Sequence, residues 1–198
     1  MEIAFFDFDG TVTKRDSLIE FIKYSVGEIE YYKGLIILSP ILFLYLLKIV
    51  SNQFAKEKLI KHFFGGWNFA TFRRVADEYS QNEIDLIVRQ SAVEKIKWHQ
   101  KRGDKVVIVS ASIECWLEKW CDKYNLELIG TKLEVINGKL TGNFLTKNCY
   151  GKEKVRRIKE RYNLLDYQDI YVYGDSKGDK EMLLLADKYS RFYKEFDE

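Results

Sequence analysis

The segment IAFFDFDGTVT, from Ile3 to Thr13, gives the clearest indication of fold in this chain. Ile3 to Phe6 is a short continuous apolar run, which is typical of a strand buried on both faces of a parallel sheet. Asp7 and Asp9 follow at once, and a buried carboxylate is costly unless it is paired, hydrogen-bonded or bound to a metal. The segment therefore predicts a strand that ends at a charged site.

The composition indicates one soluble globular unit. The chain has 198 residues, of which 46% are hydrophobic and 31% charged, enough for one core with a smaller insertion. Lysine and arginine together number 32, against 30 aspartates and glutamates. A nearly neutral chain offers no general attraction for nucleic acid, and we expect no nucleic-acid partner.

The cysteines and the N-terminus favour a cytoplasmic location. The three cysteines, Cys115, Cys121 and Cys149, contain no C-x-x-C pair, so neither a disulfide framework nor a zinc knuckle is expected. Glu2 and Asp7 interrupt any apolar signal region, and no basic stretch precedes it. These features argue against a secretory signal.

Strands and helices alternate at the start and in the second half of the chain. Val106 to Val109 and Tyr171 to Tyr173 are buried-strand patterns, each followed by an apolar spacing that predicts a helix. The block between the first two strands is helical throughout. The pattern predicts an α/β fold, a Rossmann-like three-layer parallel sheet with an inserted helical cap. We assign residues 1–15 and 94–198 to the core and residues 16–93 to the cap.

Polar residues follow each predicted strand. They are Asp7, Asp9 and Thr11 after the first, Ser110, with Ala111 next to it, after the second, and Asp175 and Asp179 after the third. Ligands of open parallel sheets bind at the carboxyl ends of the strands, so these side chains should meet at one edge.

Carboxylates crowded at one edge would repel one another without a cation. Oxygen ligands with few dedicated carboxylates suit Mg²⁺, which also binds substrate phosphate oxygens. A helix predicted directly after Ser110 would offer backbone N–H groups to an anion, and Lys154 or Lys152 would add positive charge. These features together predict a phosphoryl-transfer site.

The spacing of Asp7 and Asp9 suggests two roles. Because a strand repeats every two residues, the two carboxylates would face the same side. One can act as the nucleophile and form an aspartyl-phosphate. The other can protonate the leaving alkoxide and then activate water.

Four motifs in this order resemble the haloacid dehalogenase-like phosphohydrolases. They are D-x-D-G-T-V-T at Asp7 to Thr13, Ser110 after an apolar strand, a lysine opening a helix, and G-D-S-x-x-D at Gly174 to Asp179. The resemblance covers essentially the whole chain. A helical insertion between the first two motifs is similar to the cap of the phosphoserine phosphatase-like branch, subfamily IB.

The resemblance implies a role for each motif residue. Asp7 would be the nucleophile and Asp9 the general acid/base. The Mg²⁺ ligands would be Asp7, the backbone carbonyl of Asp9, and Asp175, with Asp179 supporting the site. The phosphoryl group would be held by Ser110, Ala111, Thr11 and a lysine. NCYGKEKV resembles the G-x-x-K-V form of the third motif and favours Lys154 over Lys152.

Two substrate classes stay open. Asp16 stands near the position where phosphoserine phosphatases carry a glutamate for the substrate amine, which suggests a small phosphorylated metabolite. Lys177 and Gly178 depart from the residues that those enzymes usually carry there. The TVTKRDSL motif, the apolar cap segment and FFGGW are more similar to bacterial phosphatidylglycerophosphate phosphatase relatives, which suggests a lipid phosphate.

The apolar segment Gly34 to Leu47 has three interpretations. As a helix it would reach only about 21 Å, against about 30 Å of hydrocarbon, and Pro40 interrupts it. A transmembrane span is therefore disfavoured. A buried helical hairpin is favoured, and peripheral contact with the inner membrane surface is the third interpretation.

Two functions of other classes compete with the enzyme. A receiver-type phospho-acceptor module also uses an acidic metal site, but it lacks a large helical insertion and does not need Asp9. A non-catalytic, membrane-peripheral binding protein is the other alternative, and the intact motifs argue against it.

Overall fold

The fold is built around a parallel β-sheet. The computed structural model describes residues 1–187 and 190–196. The strands of this sheet are β1 (Ile3–Phe6), β2 (Lys105–Ile113), β3 (Glu127–Thr131), β6 (Ile170–Gly174) and β7 (Arg191–Tyr193), and β4 (Leu133–Ile136) and β5 (Lys139–Phe144) form a separate hairpin. The five-stranded sheet has the order β3-β2-β1-β6-β7, with parallel pairing throughout. The predicted α/β fold class is confirmed.

Helices occupy most of the remaining described chain. They are α1 (Ser17–Val26), α2 (Glu28–Leu46), α3 (Asn52–Phe64), α4 (Phe69–Asn82), α5 (Ile84–Ile87), α6 (Gln90–Lys101), α7 (Glu118–Lys123), α8 (Lys152–Arg161) and α9 (Lys180–Leu183). The first six lie between β1 and β2. The helices α1 to α5 fall within the predicted insertion, residues 16–93, whereas α6 lies mostly beyond it. Residues 188–189 and 197–198 of the predicted core segment lie outside the described residues.

The central strand β1 is buried on both faces. Its four residues are 0% exposed. Ala4 and Phe6 belong to one hydrophobic cluster, and Ile3 and Phe5 belong to a second cluster on the opposite side. Because successive side chains of a strand point to opposite faces, the continuous apolar run supplies both helical layers.

An aromatic cluster joins the helical block to the sheet domain. The ring of Phe21 in α1 packs against Phe64, Phe72 and Tyr79 from the other inserted helices. It also stacks on Trp116, which follows β2, with ring centroids 4.7 Å apart. Burial of these rings accounts for much of the attachment between the two parts.

Two local expectations are wrong. The strand after Lys105 does not end at Val109 but continues to Ile113, so no helix begins directly after Ser110. Its pairing with β3 shifts register between Val109 and Ile113, which is the irregularity a bulge produces. A short helical turn, Glu114–Trp116, and then α7 follow.

The apolar segment is not a buried hairpin. Its residues Gly34 to Leu46 lie within one continuous helix, α2, with Leu47 as the C-cap, and Pro40 does not interrupt that helix. Proline cannot donate to the carbonyl of Ile36, but the Ser39 hydroxyl donates to that oxygen at 2.8 Å. This bond replaces the missing one and explains how the helix passes through a proline.

We expect Phe21→Ala to destabilise the protein by about 3–5 kcal/mol, because it removes a fully buried ring from the aromatic cluster. Urea unfolding measures the change. Leu165→Ala is the control, since this side chain is 93% exposed and should shift the unfolding free energy by less than about 0.5 kcal/mol. Equal effects of the two substitutions would contradict the packing described.

Candidate active site

The loop after β1 turns sharply within Phe8–Val12. Phe8 and Val12 are fully buried and anchor it, while Gly10 has a φ of +87°. A β-carbon at Gly10 would also collide with the carboxylate of Asp175. Glycine is therefore required here both for backbone conformation and for space.

A buried lysine links the acidic residues that follow β1 and β6. The Lys154 Nζ, at the start of α8, donates to Asp7, to Asp179 Oδ1 at 2.7 Å and to the backbone carbonyl of Val109 at 2.7 Å. Lys154 and Asp179 are each 1% exposed, and Asp7 is 6% exposed. The ammonium group compensates two carboxylates that would otherwise repel each other in a water-poor site.

Asp175 completes a group of three acids. One oxygen from each of Asp7, Asp175 and Asp179 lies within 4.8 Å of the others. The Thr11 hydroxyl lies 3.2 Å from Asp7 Oδ2 and 3.2 Å from Asp175 Oδ1. Asp179 is held from its other side, where its Oδ2 accepts hydrogen bonds from the backbone N–H and the hydroxyl of Ser176.

Burial and charge shift the pKa values of these groups in different directions. Burial raises the pKa of Asp7 to about 7, against the opposing pull of Lys154. Burial and the charge of Asp179 likewise raise the pKa of Asp175. For Asp179 the Lys154 contact outweighs burial and lowers the pKa. For Lys154, in turn, the two carboxylates outweigh burial and raise the pKa.

These residues fit a divalent cation. Three ionised carboxylates and one ammonium leave a formal charge of −2 (−3 + 1 = −2) at one end of the sheet. All three acids offer oxygen ligands, the type that Mg²⁺ prefers. Burial raises the pKa of Asp7 and of Asp175, so a bound cation would stabilise their charged forms.

The Asp9 side chain points away from the acidic group. Its Oδ1 accepts from the backbone N–H of Ser17 at 2.7 Å, and its Oδ2 accepts from the Ser112 hydroxyl at 2.5 Å. The argument from strand period is wrong, because β1 ends at Phe6 and Asp9 lies in the loop. Burial, then the charge of Asp16, raises the pKa of Asp9 to about 6.

Ser110 lies inside β2 rather than at a helix N-terminus. Its side chain is 1% exposed, and its Oγ accepts from the backbone N–H of Ser112 at 3.0 Å. The predicted anion site on a helix after Ser110 is therefore absent from the described residues. Ser110 and Ala111 still line the same cavity as Asp7.

A cavity of about 170 Å³ opens over these groups. Its lining consists of Asp7, Asp9, Asp16, Asn52, Lys56, Ser110, Ala111, Tyr150, Lys154, Ser176, Gly178 and Asp179. Lys152, the alternative lysine, is exposed and is not in the lining. Asp16 caps α1 by accepting from the backbone N–H groups of Leu18 and Ile19.

Three lining residues were not predicted from the sequence. Asn52 and Lys56 come from α3, and Tyr150 precedes α8. The Lys56 Nζ donates to the carbonyl of Ala111 at 3.3 Å, so it lies against the end of β2. No motif surrounds Asn52 or Lys56, and only the packing of α3 over the sheet edge brings them to the site. Tyr150 lies within NCYGKEKV, the segment that carries the third motif.

Comparison with known proteins identifies the family of this chain. The chain matches the haloacid dehalogenase-like hydrolase family over residues 4–184 and belongs to that family. The prediction made from the four motifs is therefore confirmed.

Relatives and a solved structure extend this comparison. The chain is 31% identical to Protein CicA of Caulobacter vibrioides over 185 residues, covering 92% of this chain and 82% of that protein. It is 28% identical to Probable phosphatase Rv3661 of Mycobacterium tuberculosis over 188 residues, covering 91% and 64%. A phosphoserine phosphatase solved as a phospho-aspartyl intermediate analogue superposes with a TM-score of 0.61 at 22% identity, covering 93% and 83%.

We expect Mg²⁺ to raise the melting temperature more at about pH 8 than at about pH 5.5. At the lower pH the Asp7 carboxyl, with a pKa of about 7, holds a proton that the cation must displace. Folding raises this pKa from 3.8, so without metal this carboxyl makes the protein less stable as the pH rises from about 4 towards 7. Bound Mg²⁺ offsets that loss.

Thermal unfolding followed by circular dichroism, with and without Mg²⁺ at both pH values, measures this effect. Asp175→Asn should abolish most of the shift, whereas Asp77→Asn, on helix α4 between β1 and β2, should leave it unchanged. A shift that is equal at both pH values would contradict the assignment of Asp7 to the cation site.

Proposed function

We propose that this protein is a Mg²⁺-dependent phosphomonoester hydrolase that acts through an aspartyl-phosphate on Asp7. The observation that carries the proposal is the meeting of Asp7, Asp175 and Asp179 within 4.8 Å around the Lys154 ammonium. Acidic ligands for a cation beside a fixed positive charge are what a transferring phosphoryl group requires.

Asp7 is the proposed nucleophile. A carboxylate oxygen attacks phosphorus, the bond from phosphorus to the ester oxygen breaks, and the alcohol leaves. Thr11 and Lys154 hold the Asp7 carboxylate by contacts to its two oxygens. These contacts restrict its rotation and favour an in-line approach.

Asp9 is the proposed general acid and base. In the first step it gives a proton to the departing alkoxide. In the second it takes a proton from the water that attacks the aspartyl-phosphate, which releases inorganic phosphate and restores Asp7. A pKa of about 6 makes both directions accessible near neutral pH. Ser17 and Ser112 hold the carboxylate in position.

Residues in and beside the cavity are proposed to bind the phosphoryl group and the cation. Lys154, Ser110, Thr11 and the backbone at Ala111 are the proposed phosphate ligands. Asp7, Asp175 and Asp179, with the backbone carbonyl of Asp9, would hold Mg²⁺. The bound cation neutralises charge on the phosphoryl oxygens during transfer.

The proposed cap, residues 16–93, supplies the part of the cavity that meets the rest of the substrate. Asp16 and Lys56 bring opposite charges to this side, and Asn52 adds an amide. A small metabolite such as a phosphoserine-like ester would use both charges. A lipid phosphate such as phosphatidylglycerophosphate would place only its headgroup there.

Several observations favour an enzyme over the alternatives. Membership of a hydrolase family and the hydrogen-bonded Asp9 argue against a receiver module, which does not need that residue. A non-catalytic binding protein would not need a nucleophile and a proton-transfer group lining the same cavity. Free, buried cysteines suit the proposed cytoplasmic location.

We expect Asp7→Asn to abolish Mg²⁺-dependent hydrolysis of p-nitrophenyl phosphate. Asp9→Asn should lower kcat by about 10²- to 10⁴-fold, because it removes proton transfer. Acid-quenched samples of the Asp9 variant should contain more phosphorylated protein than wild type if breakdown of the intermediate becomes the slower step. Activity and intact-protein mass measure the two effects.

Lys152→Met is the matched control for Lys154→Met, since both lysines lie in the first turn of α8. The Lys152 variant should retain wild-type activity, and the Lys154 variant should lose it. Full activity in Asp7→Asn would rule out the proposed nucleophile.

A further inference from the structure

One face of α2 is an unpartnered apolar surface. Tyr31, Gly34 and Leu38 are buried, and the Gly34 backbone lies so close to the Phe63 ring of α3 that a β-carbon would collide with it. The opposite face carries exposed large apolar side chains: Ile29, Tyr32, Ile36, Ile37, Phe43, Leu44 and Leu46. By length and composition alone, α2 is also a candidate membrane span. Its most apolar stretch of 18 residues has a mean hydropathy of 1.4, and 17% of that stretch is buried.

This surface continues to the mouth of the active site. Beyond the end of α2, Leu47 and Ile49 are 53% and 66% exposed, and Phe54 at the start of α3 is 40% exposed. Asn52, which lines the cavity, donates from its Nδ2 to the Tyr45 hydroxyl at 3.0 Å. We call Ile29 to Phe54 the apolar hairpin.

The apolar hairpin carries two lysines, Lys33 and Lys48, and one acid, Glu30, which already pairs with Lys33 at 2.7 Å. No aspartate or glutamate occurs between Glu30 and Glu57, whereas Lys33 and Lys48 lie at the two ends of the apolar run. Lysines that flank an apolar surface suit an anionic lipid headgroup layer.

We propose that the apolar hairpin docks on the surface of an anionic phospholipid bilayer. The helix lies on the surface and does not cross it, because its other face packs on α3, whose lysines Lys58 and Lys61 would have to enter hydrocarbon. The exposed isoleucine, leucine and phenylalanine side chains of α2 insert among the acyl chains, whereas Tyr32 and Tyr45 lie at the headgroup level.

Docking in this orientation brings the cavity mouth to the lipid surface. The cavity of about 170 Å³ is smaller than the roughly 300–1,000 Å³ of pockets that enclose drug-sized ligands. It holds a phosphoryl group and a few neighbouring atoms, so an apolar tail would extend over the hairpin. This conclusion, which rests on the proposed hydrolase activity, selects a phosphate monoester with an apolar tail as the substrate class.

The test is flotation of the full chain with vesicles of phosphatidylcholine alone or mixed with phosphatidylglycerol. We expect binding to the mixed vesicles and weaker binding to phosphatidylcholine. The double variant I36E/F43E should bind the mixed vesicles at least about tenfold more weakly, because two inserted apolar side chains are lost. L165E/L184E is the matched control, since these leucines are 93% and 61% exposed and lie outside the apolar hairpin, in the second half of the chain.

Circular dichroism and melting temperature check that each variant is folded. Wild type that stays below the vesicle fraction, or I36E/F43E that floats as wild type does, would overturn the docking proposal. A wild-type dimer that I36E/F43E converts to a monomer, without vesicle binding, would also overturn it and would assign the hairpin to a second copy.

Hydrolysis separates docking from chemistry. We expect wild type to release phosphate from phosphatidic acid added to the mixed vesicles. For I36E/F43E, this rate divided by the rate on p-nitrophenyl phosphate should be at least about tenfold lower than for wild type. Vesicle binding without hydrolysis of p-nitrophenyl phosphate would refute the hydrolase and leave docking intact. Hydrolysis of p-nitrophenyl phosphate with no effect of vesicles or of I36E/F43E would refute the lipid substrate alone.

Discussion

The contact of the Lys154 ammonium with Asp7 and Asp179 is the interaction on which the site depends. Asp7 follows β1, Asp179 follows β6, and Lys154 lies in the first turn of α8. All three residues are nearly inaccessible to water. Two buried carboxylates without this lysine would favour protonation or local unfolding. With it, Asp7 and Asp175 keep enough uncompensated charge to attract a divalent cation.

The sheet determines which strand ends can share that lysine. Because β1 lies between β2 and β6, with parallel pairing to both, their carboxyl ends meet at one edge. The loops after β1 and β6 place Asp7 next to Asp175, and Ser110 of β2 lines the same cavity as Asp7. The inserted helices then cover the edge, and the aromatic cluster around Phe21 attaches them to the sheet.

The sequence predicts the parts of this arrangement that depend on local pattern. Buried strands appear as apolar runs, and the acids directly after them appear as motifs, so the fold and the three-acid group are accessible without coordinates. The extension of β2 past Ser110 could not be predicted from the sequence, because the apolar spacing from Ile113 to Tyr124 also fits a helix. Lys56 was missed because tertiary packing alone brings α3 to the site. The exposure of α2 was missed for a similar reason, because the sequence of an apolar helix is the same whether other parts of the protein cover it or not.

The most direct test of the account is a crystal structure of the protein with Mg²⁺ and fluoroberyllate, which mimics a phosphoryl group on a carboxylate. The account predicts beryllium bonded to a carboxylate oxygen of Asp7, Mg²⁺ in contact with Asp7 and Asp175, and Lys154 beside a fluorine. Fluoroberyllate on another residue, or Mg²⁺ bound away from Asp175, would contradict it.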